Sequence, residues 1–89
     1  MAASSVIVHD IDSLERFGSF LADKHDRIED IYDSLMIECL NQGANWQDAQ
    51  YTQLKERLEY FSAASKSQLE ELTNAIAYIY ALVDRLRNA

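Results

Sequence analysis

The interruption at residues 43–48 limits the folds open to this chain more than any other stretch. It reads Gly-Ala-Asn-Trp-Gln-Asp and lies between two long segments in which apolar residues recur with helical spacing. Gly43 suits the left-handed conformation that often ends a helix. Asn45 can cap a following helix, and Asp48 can return a hydrogen bond to that cap and place negative charge at the helix start. The interruption therefore predicts the bend of a helical hairpin.

The segment before the bend carries one apolar stripe. Its residues recur at seven-residue intervals with a second series in the intervening half-steps, which is the pattern of a helix buried along one side. The two series are Leu14, Leu21, Ile28 and Leu35, and Phe17, His25, Tyr32 and Cys39. A helix over about 10–41 is expected, with Asp10 or Asp12 as its N-cap. Gly18 inside it either marks close approach of a second helix or is a tolerated glycine that costs roughly 1 kcal/mol against alanine.

The segment after the bend predicts a second helix over about 46–87, without proline or glycine. Arg85 and Arg87 fall in its last turn, where positive charge complements the helix dipole. Two lines of apolar residues indicate a coiled-coil-like seam. The predicted lines are Leu58, Leu72, Ile79 and Leu86, interrupted by Ser65, and Leu54, Phe61, Ala75 and Leu82. The expected fold is all-α, a single hairpin domain over residues 1–89 with its bend at 42–45.

Equal rise along both helices predicts contacts between positions whose numbers sum to about 87. This register places Gly18 opposite Leu69 and leaves the end of helix two without a helical partner. The extended run Val6-Ile7-Val8, after a loose tail at residues 1–5, is expected to cover part of that end. Residues 72–83 are apolar over more than one stripe, which marks an interface. We therefore expect a dimer packed as a four-helix bundle, with this partner surface: Leu72, Ile76, Tyr78, Ile79, Tyr80, Leu82, Val83 and Leu86.

Composition excludes several classes of function. The chain has 89 residues and a net charge of −7, which repels nucleic acid and anionic lipid. No apolar run approaches the roughly 18 residues of a membrane span, and the N-terminal residues lack the basic start and apolar stretch of a cleaved signal peptide. The expected location is the cytoplasm, before any export without such a peptide. The single Cys39 is interpreted as a core residue.

The polar residues do not form a catalytic or metal-binding pattern. Helical spacing places four carboxylates, those of Asp23, Asp26, Asp30 and Asp33, on a solvated helix face. His25 and Glu29 lie one turn apart, but zinc needs three or four ligands. No nucleophile is grouped with a base, and two glycines do not make a phosphate-binding loop. Neither an enzyme nor a protein with a cofactor or bound metal is predicted.

Several features of the chain resemble the WXG superfamily, the early-secreted-antigen-like proteins of type VII secretion. These features are Trp46 at the bend, Asp48 two positions on, the aromatic Tyr51, and Tyr80 followed by Asp84 in the spacing of the family's export signal. The family's namesake pattern has glycine where this chain has Asp48. Tyr80 and Asp84 also lie inside the predicted helix two rather than on a tail, so a packing tyrosine near a surface acid is the competing interpretation.

The resemblance implies a non-enzymatic secreted substrate, or an adaptor that escorts a larger secreted effector. Dimerisation would be with an identical or a related hairpin. The alternative is a non-secreted coiled-coil adaptor or chaperone of unrelated lineage that uses the same helical surface. Trp46 is expected to plug the core at the tip of the hairpin, and an exposed Trp46 would instead be a docking residue.

Overall fold

The computed structural model describes residues 6–88, and the predicted tail at residues 1–5 lies outside them. Helix α1 (Ile11–Asn41) leads through a short 3-10 turn (Gln42–Ala44) to helix α2 (Ala49–Arg87). The helices pack side by side in an elongated body of 62 × 26 × 15 Å. The prediction of an all-helical hairpin is confirmed. Neither helix has a stretch long and apolar enough to cross a membrane.

Helix α1 starts at Asp10, whose carboxylate accepts a hydrogen bond from the backbone amide of Ser13 at 3.0 Å. Asp10 is therefore the N-cap, and Asp12 lies in the first turn. A short acceptor side chain stabilises this end because the first amides of a helix have no intrahelical partner. At the C-terminal end of α2, the backbone amide of Asn88 donates a hydrogen bond to the carbonyl of Asp84.

In helix α2 the side that faces α1 is defined by residues three and four apart. One line contains Leu58, Leu72, Ile79 and Leu86, as predicted. The predicted second line is wrong, since Leu54 and Phe61 are exposed. The observed second line lies one position further along the chain and consists of Lys55, Ser62, Leu69, Ile76 and Val83. The sequence pattern does not reveal this line, because Lys55 and Ser62 are polar and apolar periodicity marks a buried line only where its residues are apolar.

In helix α1 most of the predicted stripe faces α2. The residues that do so are Leu14, Leu21, His25, Ile28, Tyr32 and Cys39. Phe17 and Leu35 do not, because half of the Phe17 surface and 43% of the Leu35 surface stay exposed. These two predictions are wrong because the helix is apolar over a wider arc than one neighbouring helix covers.

The observed register differs from the predicted one. Paired residues have numbers that sum to 90 near the bend (Cys39 with Tyr51) and to 99 further along (Asp33 with Lys66). Near the bend, the difference of three arises because α2 begins at Ala49 rather than at residue 46, so the bend takes up more of the chain. Further along, the pairs differ from the predicted register by more than this later start accounts for. Gly18 consequently lies against Ile79 and Tyr80 instead of Leu69.

The C-terminal end of α2 has a helical partner, contrary to the prediction. Arg87 donates hydrogen bonds to the carboxylates of Asp12 and Glu15 in the first turns of α1. The expected cover by the N-terminal run is small, since Ile7 is 76% exposed and Val6 is 49% exposed. The two helices therefore pair along their whole common length.

The core of this hairpin is small. Among residues 6–88 the buried apolar side chains are those of Cys39, Leu69, Ile79 and Val83. Ser62 is also buried, and its hydroxyl oxygen has no hydrogen-bond partner. One seam between two helices removes little apolar surface from water, and small domains of this kind need a further source of stability.

Candidate interaction surface

The bend is held by backbone hydrogen bonds around Gln42. Its carbonyl accepts the amides of Asn45 and Trp46 at 2.9 and 2.8 Å. The predicted left-handed glycine is wrong, because no described residue has a positive φ and Gly43 lies within the 3-10 turn. Gly43 serves close packing instead. A Cβ there would meet the Tyr51 hydroxyl at 3.2 Å.

Asp48 is the N-cap of α2, a role that the sequence assigned to Asn45. Its carboxylate accepts the amides of Gln50 and Tyr51 at 2.8 and 3.1 Å. The side-chain amide of Asn45 donates to Gln42 instead, at 3.1 Å. Hydrogen bonding from the Trp46 side chain, and then from the Tyr51 and Gln50 amides, holds the pKa of Asp48 below its usual value. The Trp46-x-Asp48 spacing thus joins the tryptophan to the start of the second helix.

Trp46 is half-buried, so its exposure lies between that of the buried core residue and that of the exposed docking residue considered above. Its ring lies 5.6 Å from that of Tyr51, whose hydroxyl donates to the carbonyl of Cys39 at 2.8 Å. Beside it opens a cleft of about 240 Å³. The lining residues are Leu35, Glu38, Cys39, Gln42, Trp46, Tyr51, Leu54 and Leu58. The cleft is mainly apolar and large enough for an apolar side chain from another molecule.

Tyr80 and Asp84, which match the export-signal spacing, have different environments. The Tyr80 ring covers Gly18, and its hydroxyl lies 3.2 Å from the Ser19 hydroxyl. Asp84 is exposed, and its carboxylate accepts a hydrogen bond from the Asn88 side chain at 2.9 Å. Tyr80 therefore has a packing role within the hairpin, whereas Asp84 takes no part in the contact between the helices.

The fold buries part of the predicted partner surface on α2 and leaves the rest half-buried or exposed. Ile79 and Val83 are buried in the seam, and the half-buried members are Leu72, Ile76, Leu82 and Leu86. Tyr78 is 62% exposed and Tyr80 is 38% exposed. The side chains of this set that remain open to a partner are chiefly Tyr78, Tyr80 and the outer part of Leu82.

A larger exposed apolar surface runs along one side of the hairpin. We call it the apolar face, and its members are Phe17, Phe20, Ile31, Leu35, Leu54, Phe61, Tyr78 and Leu82. Leu35 of α1 and Leu54 of α2 line the same cleft. The Phe61 ring of α2 meets the Tyr32 ring of α1 edge-on, with 5.8 Å between the ring centroids. The exposed apolar residues of the two helices therefore lie on one side of the hairpin. The others follow at helical spacing. Five of its members were assigned to the seam in the sequence analysis: Phe17, Leu35, Leu54, Phe61 and Leu82. Tyr78 was assigned to the partner surface, and Phe20 and Ile31 were not predicted.

The opposite side of the hairpin, which we call the polar face, carries the links between charged residues of the two helices. Lys66 donates to Asp33 at 2.6 Å, and this hydrogen bond raises the pKa of Lys66. The hydrogen bonds that Arg87 donates to Glu15 and Asp12 likewise raise the pKa of Arg87. Polar groups of this kind stay hydrated at little cost. Helical spacing from Asp33 also places the exposed side chains of Ile37 and Leu40 on this side of α1.

The carboxylates predicted to lie on a solvated face are exposed: Asp23, Asp26, Asp30 and Asp33. Asp23 pairs with Arg27 at 3.1 Å. His25 lies 3.1 Å from Asp26, the adjacent residue, rather than beside Glu29. Across residues 6–88 no three such side chains are grouped to hold a metal ion.

Comparisons with models of protein families, with curated proteins and with solved structures find no match for this chain.

Proposed function

We propose that this protein is a non-enzymatic, WXG-like component of a type VII or related secretion system. It acts as a secreted substrate, or as an adaptor for a larger secreted effector, and it works as a helical dimer. The observation that carries the proposal is the bend, where Asp48 caps α2 beside the half-buried Trp46, between two long antiparallel helices.

The apolar face supports the dimer. A standard interface takes about 800 Å² from each partner, and the broad side of the hairpin measures 62 by 26 Å. Ile31 and Phe20 on that side are 57% and 55% exposed. Covering such side chains gains about 25 cal/mol per Å² of apolar surface removed from water. A second hairpin laid on this face completes a four-helix bundle and supplies the core that one seam lacks.

The position of Tyr80 and Asp84 supports separate sites for dimerisation and export. Tyr80 bonds to Ser19 on the polar face, and Asp84 lies one helical turn further along the same side of α2. A dimer formed through the apolar face leaves this pair open to a secretion receptor. Loss of the Asp84 charge is therefore expected to affect export without affecting the dimer.

An export assay in a host with a working type VII system tests the proposal. Asp84→Asn removes the charge, and Tyr80→Phe removes the hydroxyl but keeps the ring over Gly18. Glu70→Gln is the matched control, an exposed acid two heptads earlier on the same line of α2. We expect Asp84→Asn to lower export and Glu70→Gln to leave it unchanged. Wild-type protein that stays inside such cells would contradict the secretion role.

The alternative function is a non-secreted coiled-coil adaptor or chaperone. It is supported by the same apolar face and does not involve Asp84. Dimerisation of wild-type protein together with equal behaviour of Asp84→Asn and Glu70→Gln would favour this second function.

A further inference from the structure

We propose that the half of the hairpin next to the bend opens on its own, while the half that carries the free helix ends stays paired. The bend half comprises residues 26–68, and the terminal half comprises residues 11–25 and 69–87. Free ends usually open before a tethered end does, so this order is the reverse of the ordinary one. The inference concerns one hairpin and does not depend on the proposed dimer or on secretion.

The line of α2 that faces α1 changes character at Leu69. In the terminal half every member of this line is apolar: Leu69, Leu72, Ile76, Ile79, Val83 and Leu86. In the bend half, three of the four members from residue 55 to residue 65 are polar: Lys55, Leu58, Ser62 and Ser65. Helix α1 presents Ile28, Tyr32 and Cys39 to that part of the seam. Polar side chains therefore meet apolar ones there, which gives little hydrophobic stabilisation.

The buried side chains show the same division. Leu69, Ile79 and Val83 of the terminal half are buried, whereas Cys39 is the one buried apolar side chain of the bend half among the residues that the structure describes. Ser62 is also buried in the bend half, and its hydroxyl oxygen has no hydrogen-bond partner. An unsatisfied buried hydroxyl destabilises the part of the structure that holds it.

The bend half instead holds large apolar side chains outside the seam. These include Ile31, Leu35, Ile37, Leu40, Leu54 and Phe61, each at least 41% exposed. Apolar surface that stays in water contributes nothing to the pairing of the two helices. The apolar content of the bend half is therefore poorly used within one hairpin.

Polar links between the helices do not offset this difference, because both halves have them. Each half has an ion pair across the seam, made by Lys66 in the bend half and by Arg87 in the terminal half. The side chains of both pairs are at least 40% exposed, and exposed ion pairs contribute little. Each half also has a hydroxyl hydrogen bond across the seam, at Tyr51 and at Tyr80.

The terminal half can stay paired after the bend half has opened. Residues 26–68 then form a loop between its two strands of chain, and the entropic cost of closing a loop grows only with the logarithm of its length. The released segment contains Trp46 and the cleft beside it. Segments that bind partners are commonly drawn from the least stable part of a structure. The part of the hairpin that holds the cleft is thus the part that can change shape.

Labelling of two thiols in one molecule tests the order of opening. Cys39 is the natural thiol of the bend half and is 8% exposed, and Val83→Cys adds a thiol in the terminal half at a site that is 4% exposed. With a small thiol reagent, at concentrations where the labelling rate is proportional to the reagent, each rate reports how often its thiol is open. Peptide mass spectrometry measures both initial rates, each divided by the rate in concentrated urea. We expect Cys39 to react more than about tenfold faster. Equal rates, or faster labelling at residue 83, would overturn the proposal.

A change in the terminal half shows whether the two halves open separately. Gly18→Leu in the two-thiol chain crowds Ile79, so it should speed labelling at residue 83 about tenfold. The Cys39 rate should not change, because the contact at Gly18 persists when only the bend half is open. Acceleration of both thiols by one factor would mean that the hairpin opens as a single unit, contrary to the proposal.

A change in the bend half tests the extent of its opening. Ser62→Ala removes the unsatisfied hydroxyl and should slow labelling of Cys39 about tenfold. The matched control Ser67→Ala, at an exposed position of the same helix, should slow it about twofold through helix propensity alone. Equal effects of the two substitutions would confine the motion to the residues around Cys39 and would overturn the opening of the whole half.

Discussion

Ser62 is the position where substitution should stabilise this protein. Its side chain is 6% exposed in the seam, and its hydroxyl oxygen has no partner. An unsatisfied buried hydroxyl costs about 1–3 kcal/mol, and alanine is a better helix former than serine by about 0.5 kcal/mol. The small volume lost on removing one oxygen offsets part of this gain. We expect Ser62→Ala to raise the free energy of unfolding by about 1–2 kcal/mol.

The control for this prediction is Ser67→Ala, on the exposed side of the same helix. It changes helix propensity alone, so its effect should be about 0.5 kcal/mol. Urea unfolding followed by circular dichroism measures both variants, at one protein concentration because the proposed dimer would add to apparent stability. For a domain of this size, about 1 kcal/mol corresponds to roughly 4–8 °C in Tm. A Ser62→Ala gain no larger than that of Ser67→Ala would refute the reasoning.

Three further predictions concern the ends of the hairpin. Gly18→Leu should destabilise by about 1–3 kcal/mol in urea unfolding, because even a Cβ at Gly18 would lie 3.1 Å from atoms of Ile79 and Tyr80; an unchanged midpoint would contradict the close contact. Tyr51→Phe should cost about 1 kcal/mol in the same assay, since it removes the hydrogen bond to the Cys39 carbonyl. The pKa of Asp48 is lowered in the folded state, so its negative charge stabilises the folded hairpin at pH values above the unfolded pKa of about 3.9. This stabilisation is lost as pH falls through the lower folded pKa. Tm measured from pH 7 to pH 2 should fall more for wild type than for Asp48→Asn, whose neutral amide keeps a cap at all pH values, and parallel curves would exclude the charge effect.

The hairpin could be predicted from the sequence because its signals are local. Glycine and tryptophan between two heptad patterns mark the bend, and the line of Leu58, Leu72 and Ile79 marks the seam. The second seam line could not be found in the same way, because it contains Lys55 and Ser62 while a neighbouring line is more apolar. Hydropathy does not distinguish a residue buried by its own chain from one that a second chain would cover.

The register was less predictable than the helices. It depends on how many residues the bend takes up, and this was set by which side chain caps α2. Asn45 and Asp48 are both good caps in sequence terms. The folded bend decides between them, because Asp48 accepts the amides of Gln50 and Tyr51 while the Asn45 side chain bonds to Gln42. This choice moved the start of α2 by three residues, and with it the contacts near the bend.

The dimer through the apolar face is the central claim, and sedimentation equilibrium tests it most directly. Ile31 and Ile37 provide a matched pair on α1, since each is 57% exposed and only Ile31 belongs to the apolar face. At micromolar concentration, wild type and Ile37→Glu are expected at twice the mass of one chain, and Ile31→Glu at the mass of one chain. A wild-type monomer, or an Ile31→Glu dimer as stable as that of Ile37→Glu, would contradict the account.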